Sequence, residues 1–241
     1  MVAQTSATAD FNLNLVDICE EAWERCGSEM RSGYDLRTTT RSLNLLLADW
    51  ANRGVNLWTV DSGSIPMVAG TTTYNLPVDT VDLIDHVIRT GTGQNQQDIS
   101  ISRISVDTYA TIPNKNSAGR PIQVYINRLS GATNSSSVVQ NPTITVWPVP
   151  DVSSTYTFVY WRMRRMLNAG TGINGQDIPF RFLPALVAGL SYYLSLKVPG
   201  ADARSGNLKQ MYEEQWTIAA EEDRDRASVR FVPKIASVGG V

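Results

Sequence analysis

The spacing of apolar residues changes twice along this chain, and that change limits the fold more than any other feature. In Asn14–Cys26 the apolar side chains fall at Leu15, Ile18, Cys19, Ala22, Trp23 and Cys26, the rhythm of a helix buried on one side. From Val55 to about Met166 the rhythm becomes two, that of strands with one covered face. After Asp177 the helical rhythm returns. A helix-period segment does not sit stably as a strand, nor the reverse, so the chain is neither an all-helical bundle nor an all-β barrel. The expectation is an α+β fold. Terminal helices over residues 1–54 and 177–228 form a helical bundle, with an antiparallel β domain over 55–176 inserted between them and an extended C-terminal arm over 229–241. At 241 residues the chain is long enough to bury a sizeable core.

Within that frame, Asn14 suits the cap of the first helix and Gly27 its stop, after a polar N-terminal arm over residues 1–12. A second helix is expected over Thr38–Arg53, with Leu43, Leu46, Leu47 and Trp50 as its apolar stripe and Gly54 at its end. Strands are expected at Leu57–Val60, Ser64–Val68, Thr72–Leu76, Val81–Arg89, Ile99–Ile104, Ile122–Leu129, Thr143–Trp147 and Thr155–Met166. A short helix at Ser105–Ala110 interrupts them, and Gly131–Gln140 reads as a hairpin tip or mobile loop. Leu183, Leu186, Val187, Leu190, Leu194 and Val198 mark a third long helix, ended by Pro199-Gly200. Pro179 suits its first turn, while Pro184 implies a late start or a kink. The last helix, Ala203–Ala227, would carry Leu208, Met211, Tyr212, Gln215 and Ala219 on one side, with Glu222 and Arg226 spaced for mutual support.

Composition then removes whole classes of chemistry. A net charge of −2, with 18% charged residues, leaves no excess of cations to hold a polyanion. The single histidine, His86, would have to serve any Ser-His-Asp triad or histidine metal site. Alternation in its strand puts Val81, Leu83, Asp85 and Val87 on one face and Asp82, Ile84, His86 and Ile88 on the other, so His86 reads as a half-buried structural residue. Cys19 and Cys26 are seven residues apart on one helix, about 10 Å along its axis, beyond disulfide reach. They read as buried, reduced and inert, which suits a protein made in a cytosol. Gly91–Gly93 and Gly170–Gly175 lack the Lys-Ser/Thr sequel of a phosphate loop and read as turns. The acidic pairs Asp79/Asp82 and Asp223/Asp225 read as solvated turn and helix-end residues rather than metal ligands. Leu183–Leu196, the longest mostly apolar stretch, is too short to cross a bilayer, and MVAQTSATADFN lacks the features of a secretion signal. No cofactor, metal or membrane partner is expected.

Longer strings carry a resemblance. RSLNLLLADWANRGVNLWTV (Arg41–Val60) and GTTTYNLP (Gly70–Pro77) are followed by DTYATIPNKNSAGRP (Asp107–Pro121), TITVWPVP (Thr143–Pro150) and DIPFRFLPALVAGLSYYLSLKVP (Asp177–Pro199). In this order and spacing the chain resembles the head-to-tail adaptors of short-tailed bacteriophages, the tail accessory factor and tail tubular protein A-like proteins. The resemblance implies a structural virion protein of the tail or neck, made in the host bacterial cytoplasm and without a catalytic site. It implies a homo-oligomeric ring, typically of twelve subunits, beneath the portal protein. Such a ring extends the DNA channel, lets the genome pass without sequence-specific binding, and offers a platform to the distal tail (nozzle or tail tubular) protein. It also implies that the C-terminal segment reaches the portal, here through Arg230, Phe231, Val232, Pro233, Lys234 and Ile235.

The residues themselves bear on this reading. Arginine outnumbers lysine 17 to 4, which suits either interface ion pairs or a compositional bias. Phe231, Val232 and Ile235 lie outside any expected element, so this segment either docks on another subunit or partner or is disordered. In Trp161-Arg-Met-Arg-Arg-Met166 a strand would place Arg162 and Arg164 on one face and Arg165 on the other, too few charges for tight DNA binding and suited to an interface or intra-sheet ion pair. A competing reading is a virion-associated peptidoglycan hydrolase with Glu20, Glu21 or Glu24 among its paired carboxylates, on a helix face whose ordinary explanation is solvation.

Overall fold

The computed structural model describes residues 13–54, 57–129, 140–170 and 174–223. In chain order the elements are α1 (Leu15–Cys26), α2 (Gly33–Asn52), β1 (Val60–Pro66), β2 (Thr73–Asn75), β3 (Thr80–Thr90), β4 (Gln97–Ser100) and β5 (Ser102–Ile104). They continue with α3 (Val106–Thr111), β6 (Gln123–Asn127), β7 (Thr143–Trp147), β8 (Tyr156–Arg164), α4 (Leu183–Ser195) and α5 (Asp202–Glu222). The fold is α+β.

Local signals define the first helix. The Asn14 side chain accepts from the Asp17 amide at 2.9 Å, and Asp17 accepts in return from the Asn14 amide at 3.2 Å. Gly27 ends the helix at φ +82°, a conformation that costs a side-chain-bearing residue. α2 begins five residues before the expected Thr38, because Ser32 and Asp35 form a second reciprocal cap. Of the late start or kink that Pro184 implied, α4 takes the late start, after a 3-10 turn over Phe180–Phe182.

Helix α4 is buried on nearly every side, by α1, α2 and α5. Close approach is possible because a Cβ at Gly189 would lie 2.8 Å from the Tyr212 ring and 3.0 Å from Leu46. The shared core includes Ile18, Leu43, Leu46, Leu190, Leu194 and Tyr212. Its polar atoms are paired: Trp50 Nε1 donates to the Tyr212 hydroxyl at 2.9 Å, and Trp23 Nε1 to Thr39 at 2.7 Å. Met211, expected on the same side as Leu208, Tyr212 and Ala219, is exposed while they are buried. At about 100° per residue it lies about 80° from the midpoint of the Leu208–Tyr212–Ala219 stripe.

The β strands form two sheets, ordered β1-β8-β3-β4 and β2-β7-β6-β5. Leu83, Ile88, Phe158 and Tyr160 from the first meet Val124, Ile126, Ile144 and Val146 from the second in one core. Three expectations need correction. The pairing is not wholly antiparallel, since β5 and β6 run parallel. Ile99–Ile104 is not one strand: β4 joins the first sheet and β5 the second, so the chain changes sheets at Ile101. Leu57–Thr59 is a 3-10 turn, held by the Leu57 amide donating to Asp223 at 3.0 Å and by Trp58 Nε1 donating to the Asp177 carbonyl at 3.1 Å. The loop expected at Gly131–Gln140 lies, apart from Gln140, outside the described residues, as does the arm over 1–12.

Candidate functional site

The basic strand end of β8 sits at a junction. Arg162, 12% exposed, reaches Asp79 at 2.6 Å and Asp61 at 3.3 Å. Arg164, 16% exposed, reaches Asp177 at 2.5 Å and Asp61 at 3.3 Å. Arg165 turns away and donates to the Val78 carbonyl at 2.9 Å. The two arginines sharing a face are thus taken up by ion pairs within the chain. Burial alone would raise the Asp177 carboxyl, but the Arg164 guanidinium and the Leu167 amide hold it below its ordinary value. Hydrogen bonding from Arg162 lowers Asp79 likewise. Asp177 precedes α4, and the Ala169 amide donates to Asn44 of α2 at 2.8 Å, so this cluster fastens the end of β8 to the helices. Arg53, Arg89, Arg103 and Arg181 are also paired internally, so much of the arginine surplus serves the fold.

A groove of about 950 Å³ lies between α1 and the start of α4. Leu13, Phe180, Leu183, Pro184 and Val187 give it apolar walls, and Asp17, Glu20, Glu21 and Glu24 line it beside Arg25 and Arg181. Phe180 is 62% exposed. Two of the acids have local partners: Glu21 takes Arg25 at 2.8 Å, and Asp17 belongs to the cap. The three glutamates singled out in the sequence therefore share one groove. Glu20 and Glu24 remain solvent-exposed.

His86 is buried, stacked on Phe158 at 5.8 Å, and neither ring nitrogen has a hydrogen-bond partner of good geometry among the described residues. Burial disfavours its charged form; nearby Asp85 and the Ile101 backbone oppose this and Arg103 adds to it, leaving the pKa lowered. It shares the covered face with Leu83 and Ile88 while Ile84 is exposed, because register shifts at Thr80/Asp82 and Leu83/Asp85 break the strict alternation. Cys19 and Cys26 are buried and free, with burial pushing the Cys19 thiol up to about 12. Asp79 and Asp82 pair with arginines, Asp223 pairs with Arg181, and no metal-ligand cluster occurs among the described residues. No helix there is long and apolar enough to cross a membrane. Arg230, Phe231, Val232, Pro233, Lys234 and Ile235 lie outside the described residues. Sequence reasoning missed Asp61 and Asp177 as arginine partners, and Leu13 and Phe180 as groove walls. None of these carries a local motif.

The family model described as SU10 adaptor protein matches residues 13–234, spanning both the helical core and the two sheets. The chain belongs to this adaptor family. No curated protein matches it. Membership makes the chain a structural adaptor of a phage virion, in agreement with the head-to-tail resemblance of its sequence.

Proposed function

We propose that the chain is a head-to-tail adaptor that works by assembly, without catalysis. About twelve copies form a closed ring beneath the portal, extend the DNA channel and offer a platform to the distal tail protein. The observation that carries this reading is the adaptor-family match over residues 13–234. Met211 and Ile218 support it: they are exposed and seven residues apart on the same side of α5, where a neighbouring copy can cover them. The near-neutral charge also suits a conduit that must release the genome rather than grip it. In this reading the bundle is residues 1–54 with 177–228, the inserted β domain is 55–176, and the arm over 229–241 meets the portal through Arg230–Ile235.

Native mass spectrometry of the full chain, alone and mixed with a portal ring, tests the proposal. The expected result is a ring whose copy number matches the portal, with portal binding lost when residues 229–241 are deleted and the far-UV spectrum retained. A chain that never associates with a portal would remove the reading. Undiminished binding by the deletion variant would remove the arm's part in it.

A further inference from the structure

We infer that the groove between α1 and α4 holds this chain's own C-terminal segment, Arg230–Ile235, when no partner is bound. The groove pairs apolar walls (Leu183, Pro184, Val187) with two exposed acids, Glu20 and Glu24. The segment has the complementary pattern. In an extended conformation Phe231, Pro233 and Ile235 fall on one face, while Arg230 and Lys234 fall on the other. Burying the first against the walls leaves the two cations beside the acidic rim, where opposite charges favour docking.

The chain also leaves the fold in the right place. α5 ends at Glu222, and the next residue, Asp223, pairs with Arg181, which itself lines the groove. Phe231 lies eight residues further on, a reach of up to about 26 Å. The 12 residues of α1 span only about 18 Å, so the segment can lie along the whole groove. The N-terminal residues also begin at this groove, at Leu13. They suit it less, because residues 1–12 contain Asp10 and no Lys or Arg.

Tethering makes weak affinity sufficient. An effective concentration of about 1 mM against an intrinsic dissociation constant of about 0.1 mM leaves the segment docked about ten times more often than free. A partner that takes the arm must first displace it from the groove. Docking concerns the isolated chain and stands apart from which virion component the arm later meets.

Amide hydrogen exchange of residues 229–236 in the full chain reads this directly, with the synthetic peptide 224–241 as the unprotected reference. The expected result is about ten-fold protection that does not change with protein concentration. Protection is lost in Glu20→Lys/Glu24→Lys and returns when Arg230→Glu/Lys234→Glu is added to it. The tail pair Arg230→Glu/Lys234→Glu alone leaves the helices untouched and must also release the segment, so it decides the matter if the groove variant fails to fold. Exchange as fast as in the peptide would overturn the inference. So would protection that rises with concentration, which assigns the groove to a second copy, or protection indifferent to both charge reversals, which assigns the segment elsewhere.

Discussion

Replacing Arg164 with Met removes the cation that joins the end of β8 to the segment before α4. Arg164 and Asp177 are 16% and 19% exposed and share two contacts, at 2.5 and 2.9 Å. Breaking a fully buried pair costs about 3–5 kcal/mol, mainly through the charge left behind. Residual solvent access at this site reduces that to about 2.5 kcal/mol for Arg164→Met. Asp177→Asn leaves a guanidinium that can still turn to Asp61 at 3.3 Å, so its cost is smaller, about 1.5 kcal/mol. The double variant strands no charge and should cost about 2 kcal/mol, giving a coupling of about 2 kcal/mol between the two sites. Urea unfolding of the four proteins, followed by Trp fluorescence and far-UV dichroism, measures the cycle. Because the pair ties sheet to helices, Arg164→Met should also separate the transitions seen by the two probes. Additive single effects, within about 0.5 kcal/mol, would refute the claim that this pair fastens the two parts.

Four further outcomes follow from the packing and the buried groups. Gly189→Val drives side-chain atoms into Tyr212 and Leu46 and should cost about 3 kcal/mol in the same unfolding assay; a loss below about 1 kcal/mol would mean the helices are less closely packed. His86 has a lowered pKa, so the unfolded chain binds the proton first. Its destabilising effect is absent above the ordinary value of 6.5 and grows as pH falls below it, so the urea midpoint should drop between pH 7 and pH 5 and flatten there in His86→Leu. Asp79 and Asp177 have lowered values, so their stabilisation is present above the ordinary 3.8 and lost only as pH falls through the folded values below it. Cys19 and Cys26 are buried with raised pKa, so at pH 8 a thiol reagent should label them only as fast as the chain opens; immediate labelling of either would contradict its burial.

The limits of α1, the late start of α4 and the single-sided burial of α1 could be read from the chain, because each depends on residues within about one helical turn. Asn14, Asp17 and Gly27 act on their own neighbours, and Pro184 restricts its own backbone. The Ser32–Asp35 cap was equally local, yet it precedes the apolar stripe by which the helix was recognised. Partner choice was not legible. The alternation in Ile99–Ile104 carries past Ile101 and fails only at Arg103–Ile104, although the chain passes from one sheet to the other at Ile101, and nothing in the β3 pattern marks the register shifts that turn Leu83 inward beside His86. The same holds for function. The basic run after Trp161 was visible, but its partners Asp61 and Asp79 stand 101 and 83 residues away from Arg162, and the groove exists only because α4 returns beside α1. Helix limits follow from bonds to near neighbours, which any conformation of the chain keeps within reach. Sheet order, ion-pair partners and grooves follow from burying apolar faces against distant segments, and only the folded chain brings those together.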